Sequence, residues 1–148
     1  MISYMELHEQ NHKITELSNV LSYLINERSM CDTEVSCELF FRYVSMVKDH
    51  LETEERELYQ LLLMDSDNDV RNTGRKFLSG SGEIKRVFGQ YLKRWCKGKE
   101  LRIRDHEAFI NDTRDIFSLV IRRIDDEIVH LYPTLLENGH IPVNAHAA

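Results

Sequence analysis

Apolar residues return along most of this chain at helical spacing, the pattern that turns one stripe of a helix inward. Leu7, Ile14, Leu17, Leu21 and Leu24 form the first stripe. Ser3-Tyr4-Met5-Glu6 reads as a capping box, so a first helix is expected from Ser3 and should fade near Glu27. A second helix is expected from Asp32-Thr33, with Phe40, Tyr43, Val44, Val47, Leu51, Leu58, Leu61 and Leu62 on one side. A third should run from about Asp69 to Lys97 with Phe77, Ile84, Val87, Phe88, Tyr91 and Trp95 inward, stopping at Lys97-Gly98-Lys99. The fourth should begin near Arg104 and carry Phe109, Ile116, Val120, Ile124 and Leu131 to about Leu136. Short connections make neighbouring helices antiparallel. The pattern therefore predicts an all-α, up-down-up-down four-helix bundle over residues 1–137, followed by a flexible C-terminal tail over 138–148.

Two features interrupt the pattern. Ser79-Gly80-Ser81-Gly82 falls inside the third helix, where each glycine costs on the order of 1 kcal/mol relative to alanine. It should kink the helix or let a neighbour approach closely. Asp65-Ser66-Asp67-Asn68-Asp69 begins like a calcium loop, but Val70 replaces the turn glycine and Lys76 stands where the bidentate glutamate belongs, so it reads as an acidic interhelix loop.

The hairpins repeat. His50-Leu51-Glu52-Thr53-Glu54 running into Leu58-Tyr59 returns 73 residues later as Arg123-Ile124-Asp125-Asp126-Glu127 running into Leu131-Tyr132-Pro133. Ile14, Leu17, Leu21 and Leu24 likewise match Ile84, Phe88, Tyr91 and Trp95 at an offset of 70 or 71. Each copy of the polar segment sets a nitrogen-bearing side chain four residues before a glutamate, one turn apart on the same face. Helical phase puts Glu54 within about 30° of the centre of its apolar face and His50 about 70° away. Glu127 and Arg123 stand alike on theirs. On the first helix the inward polar position is Gln10, and on the third it is Gly80 or Ser81.

HxxxE ahead of Leu-Tyr, in alternate helices of such a bundle, resembles the hemerythrin or HHE cation-binding family, over roughly residues 3–136. In that family the second and fourth helices each give HxxxE, the first and third add histidines, and two non-haem irons bind dioxygen or nitric oxide. The residues that carry over by match are His50, Glu54 and Glu127 as metal ligands. Arg123 departs from the pattern, because a guanidinium offers a metal no lone pair. Two arrangements follow. In one, His50, Glu54 and Glu127 hold a single cation, with Gln10 and water completing its shell. In the other, Arg123 replaces the metal and its fork bridges Glu54 and Glu127, with His50 and Gln10 satisfying the remaining acceptors. Buried carboxylates need a positive partner, and Arg123 is always charged and in register. The arginine network is therefore the expected arrangement. No cofactor is expected; iron or another divalent metal is the alternative, and an intact diiron centre a further one.

Composition narrows the partners. The chain has 148 residues, 42% hydrophobic and 30% charged, with net charge −6 and mean hydropathy −0.43. Such a charge speaks against nucleic acid, and the basic residues of 85–104 form no base-reading motif. No apolar run is long enough for a membrane, and the N-terminus lacks a signal-peptide profile. Cys31, Cys37 and Cys96 make an odd count without CxxC spacing, so reduced thiols and a cytoplasmic setting are expected. His8 and His12 lie opposite the first stripe as a solvated pair, His106 should be a hydrogen-bonded boundary histidine, and His130, His140 and His146 surface or tail residues. Tyr91 and Trp95 should close the distal end of the core. No catalytic constellation or phosphate loop is present, so an enzyme is not expected.

The expected function is that of a hemerythrin-like cytoplasmic binding or regulatory protein with a degenerate metal site. Its alternative is a non-haem iron or single-metal protein that senses or binds oxygen, nitric oxide or redox state. A fainter resemblance, to bacterial anti-sigma factors of the regulator-of-sigma-D type, implies a protein-interaction regulator. It rests on a second-helix histidine followed by acids. Phe41, Tyr132 and the Ile110/Phe117/Ile121 edge are expected at a homodimer or partner interface.

Overall fold

The computed structural model describes residues 1–145, so His146 lies outside the described residues. The described residues are all-α apart from one two-residue ladder. Its elements are α1 (Tyr4–Leu24), α2 (Arg28–Cys31), α3 (Glu34–Glu57), α4 (Tyr59–Leu63), α5 (Asn68–Trp95), β1 (Cys96–Lys97), β2 (Glu100–Leu101), α6 (His106–Asp126), a π-helical turn (Glu127–Leu131) and α7 (Tyr132–Glu137). No helix among the described residues is long and apolar enough to cross a membrane.

The helix starts follow local chemistry. Ser3, Thr33, Asp67 and Asp105 each sit in extended backbone, and each side chain accepts a hydrogen bond from a backbone N–H in the first turn of α1, α3, α5 and α6. Two acids of the 65–69 loop are spent this way: Asp67 caps α5, and Asp65 accepts from the Asp67 N–H at 2.8 Å. At its far end α5 gives way to the ladder, with Cys96 opposite Leu101, and Gly98 takes the left-handed φ of 64° that the turn requires. After α7, Gly139 adopts φ 69°, its N–H bonds to the Leu136 carbonyl, and the His140 N–H bonds to that of Leu135. This is a Schellman stop. The segment beyond, expected to be a flexible tail, lies against the start of α1. The Tyr4 and Met5 N–H groups donate to the Pro142 and Val143 carbonyls at 2.9 Å, Ile141 is buried, and His140 Nε2 lies 2.7 Å from Asp65 Oδ2.

Among the four long helices, α1 packs on α3 and α6, α3 on α5, and α5 on α6. Their apolar stripes make two cores. The larger gathers Ile14, Leu21, Phe40, Tyr43, Val47, Leu51, Phe88, Phe109, Phe117 and Ile124 among others, with Tyr91 and Trp95 toward its far end. The smaller holds Leu7, Leu58, Tyr59, Leu62, Val70, Phe77, Leu131, Tyr132, Leu135 and Ile141. A layer of polar side chains divides them.

The glycines of α5 do not break it; the helix is continuous through Ser79-Gly80-Ser81-Gly82. Their use is space. A Cβ on Gly80 would stand 2.9 Å from Arg123 Nη1, and one on Gly74 would stand 2.8 Å from Leu62 Cβ. Gly74→Ala is therefore expected to destabilise by about 1–3 kcal/mol through overpacking, less up to about 1 kcal/mol of helix propensity. Urea unfolding of the variant checks the sign.

Candidate functional site

The dividing layer is built from facing turns of α1, α3 and the α6–π junction. His50 and Glu54 are one turn apart on α3, Arg123 and Glu127 one turn apart at the end of α6, and all four are buried, the two glutamates completely. Arg123 Nε donates to Glu127 Oε2 at 2.8 Å, and one Nη2 hydrogen reaches Glu54 Oε1 at 3.5 Å. Its other Nη2 hydrogen goes to the Tyr59 hydroxyl, and Nη1 donates to the Phe77 carbonyl at 3.0 Å. The Phe77 ring covers the guanidinium, 4.9 Å from its carbon. His50 stands on the opposite side. Its Nε2 lies 2.9 Å from Glu127 Oε1 and 3.4 Å from Glu54 Oε2, while Nδ1 lies 2.8 Å from Gln10 Oε1. Both ring nitrogens thus face acceptor oxygens, the surroundings of an imidazolium.

The two acids are not equivalent. Glu127 accepts from Arg123 at 2.8 Å, from Tyr132 at 2.8 Å and from His50 at 2.9 Å. Every contact of Glu54 is long: Tyr59 and Tyr132 hydroxyls and His50 at 3.4 Å, Arg123 at 3.5 Å. Burial raises the carboxyl pKa of both, but at Glu127 the His50 hydrogen bond and charge, helped by Arg123, hold it well below the usual carboxylate range. Glu54, poorly bonded, is pushed up to about 7 by burial and then by the Glu127 charge. Burial works against a charge on His50 as well, yet the Glu54 charge and the Glu127 hydrogen bond override it and lift the imidazole to about 10. When both acids are ionised, Arg123 and the protonated His50 balance their two charges.

All five positions read as a central network from the sequence, Gln10, His50, Glu54, Arg123 and Glu127, come together here. The third-helix candidates do not join them as ligands. Gly80 is the gap beside the guanidinium, and Ser81 Oγ donates instead to Glu55 at 3.1 Å. The distal histidines stand apart: His8 and His12 are exposed, with His12 3.1 Å from Glu16, and His106 Nε2 lies 2.8 Å from the Ile25 carbonyl oxygen.

Three members escape helical-wheel reasoning: Asn11, Tyr59 and Tyr132. Asn11 Nδ2 donates to the Tyr132 hydroxyl at 2.8 Å and lies 3.4 Å from Glu127. Tyr132, expected at the rim as part of a partner surface, is instead completely buried, and Phe117 of the same expected surface is a core residue. Five residues of α-helix carry a side chain about 140° from the starting face. The backbone is not α-helical across either interval. Leu58, with φ −110° and ψ −47°, separates α3 from α4, and the Glu127–Leu131 segment winds as a π turn. Both irregularities return a tyrosine to the face of the glutamate five residues before it. The Leu-Tyr echo in the repeat was the signal for this.

The two-iron ligand set implied by the hemerythrin resemblance does not fit these residues. Where it requires further histidines, the layer offers the Gln10 amide, the bare Gly80 and the Arg123 guanidinium, which already touches both carboxylates. Donor atoms for one ion do exist, since ligand atoms of His50, Glu54 and Glu127 lie within 4.8 Å of one another. An ion there would have to displace the His50 proton and sit beside a fixed positive charge. No protein-family model, no curated protein and no solved structure matches this chain, so the reading of the site rests on its own chemistry.

Proposed function

We propose that this chain is a hemerythrin-like binding or regulatory protein, an up-down-up-down four-helix bundle in which an arginine stands where the family resemblance places a metal. One observation carries the reading. The guanidinium of Arg123 contacts both central carboxylates while His50 bonds to the same pair, so the charges an ion would neutralise are already neutralised. A site already filled by its own arginine supports a role in binding rather than catalysis. Exposed apolar side chains such as Tyr23, Val20 and Val129 leave room for a protein partner or a second copy of the chain.

Iron analysis of protein produced under iron-replete conditions tests this directly. The expected result is iron far below one equivalent and no visible charge-transfer band; stoichiometric iron with such a band would overturn the reading. Arg123→His supplies the missing nitrogen ligand and removes the competing cation, and should gain iron or zinc binding that the parent lacks, read by metal titration. The second reading, a single divalent ion on His50, Glu54 and Glu127, is favoured by the closeness of those donors. It requires that the parent protein take up one ion with release of a proton, which calorimetry in buffers of different ionisation enthalpy detects.

A further inference from the structure

We propose that the groove between α5 and α6, beside Arg123, binds a small apolar monocarboxylate. The proposal rests on the arginine network. A guanidinium has five N–H donors. Arg123 spends one on Glu127, one on Phe77, and two on Glu54 and Tyr59, which leaves one Nη1 hydrogen with no acceptor among the described residues. The side chain is 8% exposed, and what shows faces a groove of about 340 Å³. That volume lies at the small end of the range for small-molecule sites. Gly80 is the reason the groove reaches the guanidinium at all, since any Cβ there would stand 2.9 Å from Nη1.

The groove's chemistry matches an amphiphile. Phe77, Ile84 and Leu119 supply apolar walls, and Lys76 and Arg122 bring positive charge. Two acids also line it. Glu83 is held by Arg86 through hydrogen bonds of 2.5 and 3.1 Å, and Asp126 follows the cationic pair Arg122 and Arg123 on α6. A carboxylate that accepts the unused hydrogen forms a charge-assisted bond to a desolvated guanidinium, and its hydrocarbon body covers the walls. An alcohol offers the same acceptor without the charge, and an amine meets the donor with another donor. The ligand order should follow that chemistry.

Octanoate, octanol and octylamine are the probes, followed by calorimetry and by backbone and arginine Nε resonances of the full chain. Octanoate should bind saturably and at least about tenfold more tightly than octylamine, with shifts confined to the residues that line the groove, Phe77, Gly80, Ile84, Leu119 and Arg122 among them, and to the Arg123 Nε–H. Gly80→Ala should weaken octanoate by about tenfold or more, and Lys76→Glu, at the rim and outside the network, should weaken it without altering the fold. Octanoate that fails to saturate below its micelle range, that shifts resonances elsewhere, or that binds both variants unchanged would overturn the proposal. The Arg123 Nε–H separates this failure from that of the network itself. A slowly exchanging Nε–H without octanoate uptake sinks only the groove, whereas a fast-exchanging one removes the network on which it depends.

Discussion

Arg123→Met should lower folding stability by about 3–5 kcal/mol, the scale for removing one partner of a buried ion cluster. The methionine fills much of the volume, so the loss reports charge rather than a cavity. Without the guanidinium, Glu54 and Glu127 face each other with His50 as their sole cation, and the Phe77 carbonyl and Tyr59 hydroxyl lose a donor. Arg123→Lys keeps the charge but not the fork that spans two carboxylates, a carbonyl and a hydroxyl, and should fall between parent and methionine. Adding Glu54→Gln to Arg123→Met should recover part of the loss, because one unpaired acid disappears with its partner. Glu127→Gln alone should cost more than Glu54→Gln alone, since Glu127 holds the bonds of 2.8 and 2.9 Å and Glu54 only those of 3.4 and 3.5 Å. Urea unfolding of the five proteins against the parent measures the series.

Alkaline pH should destabilise the protein through the same layer. His50 has its ordinary value of 6.5 in the unfolded chain and is raised to about 10 in the folded one. Between those values the folded state holds a proton that the unfolded state has released, so stability falls as pH rises. The stabilisation is fully present below 6.5 and lost as pH climbs toward 10. Glu54, raised to about 7, adds to the fall at its lower end, because folding also favours its protonated form above 4.5. One proton taken up differentially corresponds to about 1.4 kcal/mol per pH unit. Glu127 works in the opposite sense at acid pH. Its depressed pKa contributes stability that is present above 4.5 and lost as pH drops below. Unfolding free energies measured from pH 6.5 to 9 should show the downward slope in the parent and a much flatter one in His50→Gln. Equal slopes in the two would place the titrating group elsewhere.

The central layer also accounts for the repeat that remains in the chain. Two copies of a polar pair, one on α3 and one on α6, meet across the core and need opposite charges to coexist there. A histidine in one copy and an arginine in the other supply two cations for two glutamates. Identical copies with neutral histidines would leave both acids seeking an external cation. The His50/Arg123 difference gives the layer two cationic side chains beside its two acids.

How much of this was legible before folding depended on whether the backbone kept one period. The helical character, the capped starts at Ser3 and Thr33, and the inward stripes follow from residues a turn apart, which a regular helix places without help from its neighbours, whereas the third and fourth helices, expected from about Asp69 and near Arg104, are capped instead by Asp67 and Asp105. The same regularity put His50, Glu54, Arg123 and Glu127 on inward faces. What lay beyond it was decided in three dimensions. Tyr132 and Tyr59 enter the layer because the chain leaves α-helical geometry after each glutamate, and nothing in a strict 100° count announces that. Asn11 rather than Gln10 alone lines α1, because the helix presents two adjacent residues to partners on either side. Gly74 and Gly80 of α5 proved to be space for the Leu62 and Arg123 side chains, a matter of how closely helices from distant parts of the chain approach. The pattern of residues along the chain determined which side chains turn inward, since that is local; only the packed structure decided which of them touch, since contact is set by the meeting of segments far apart in sequence.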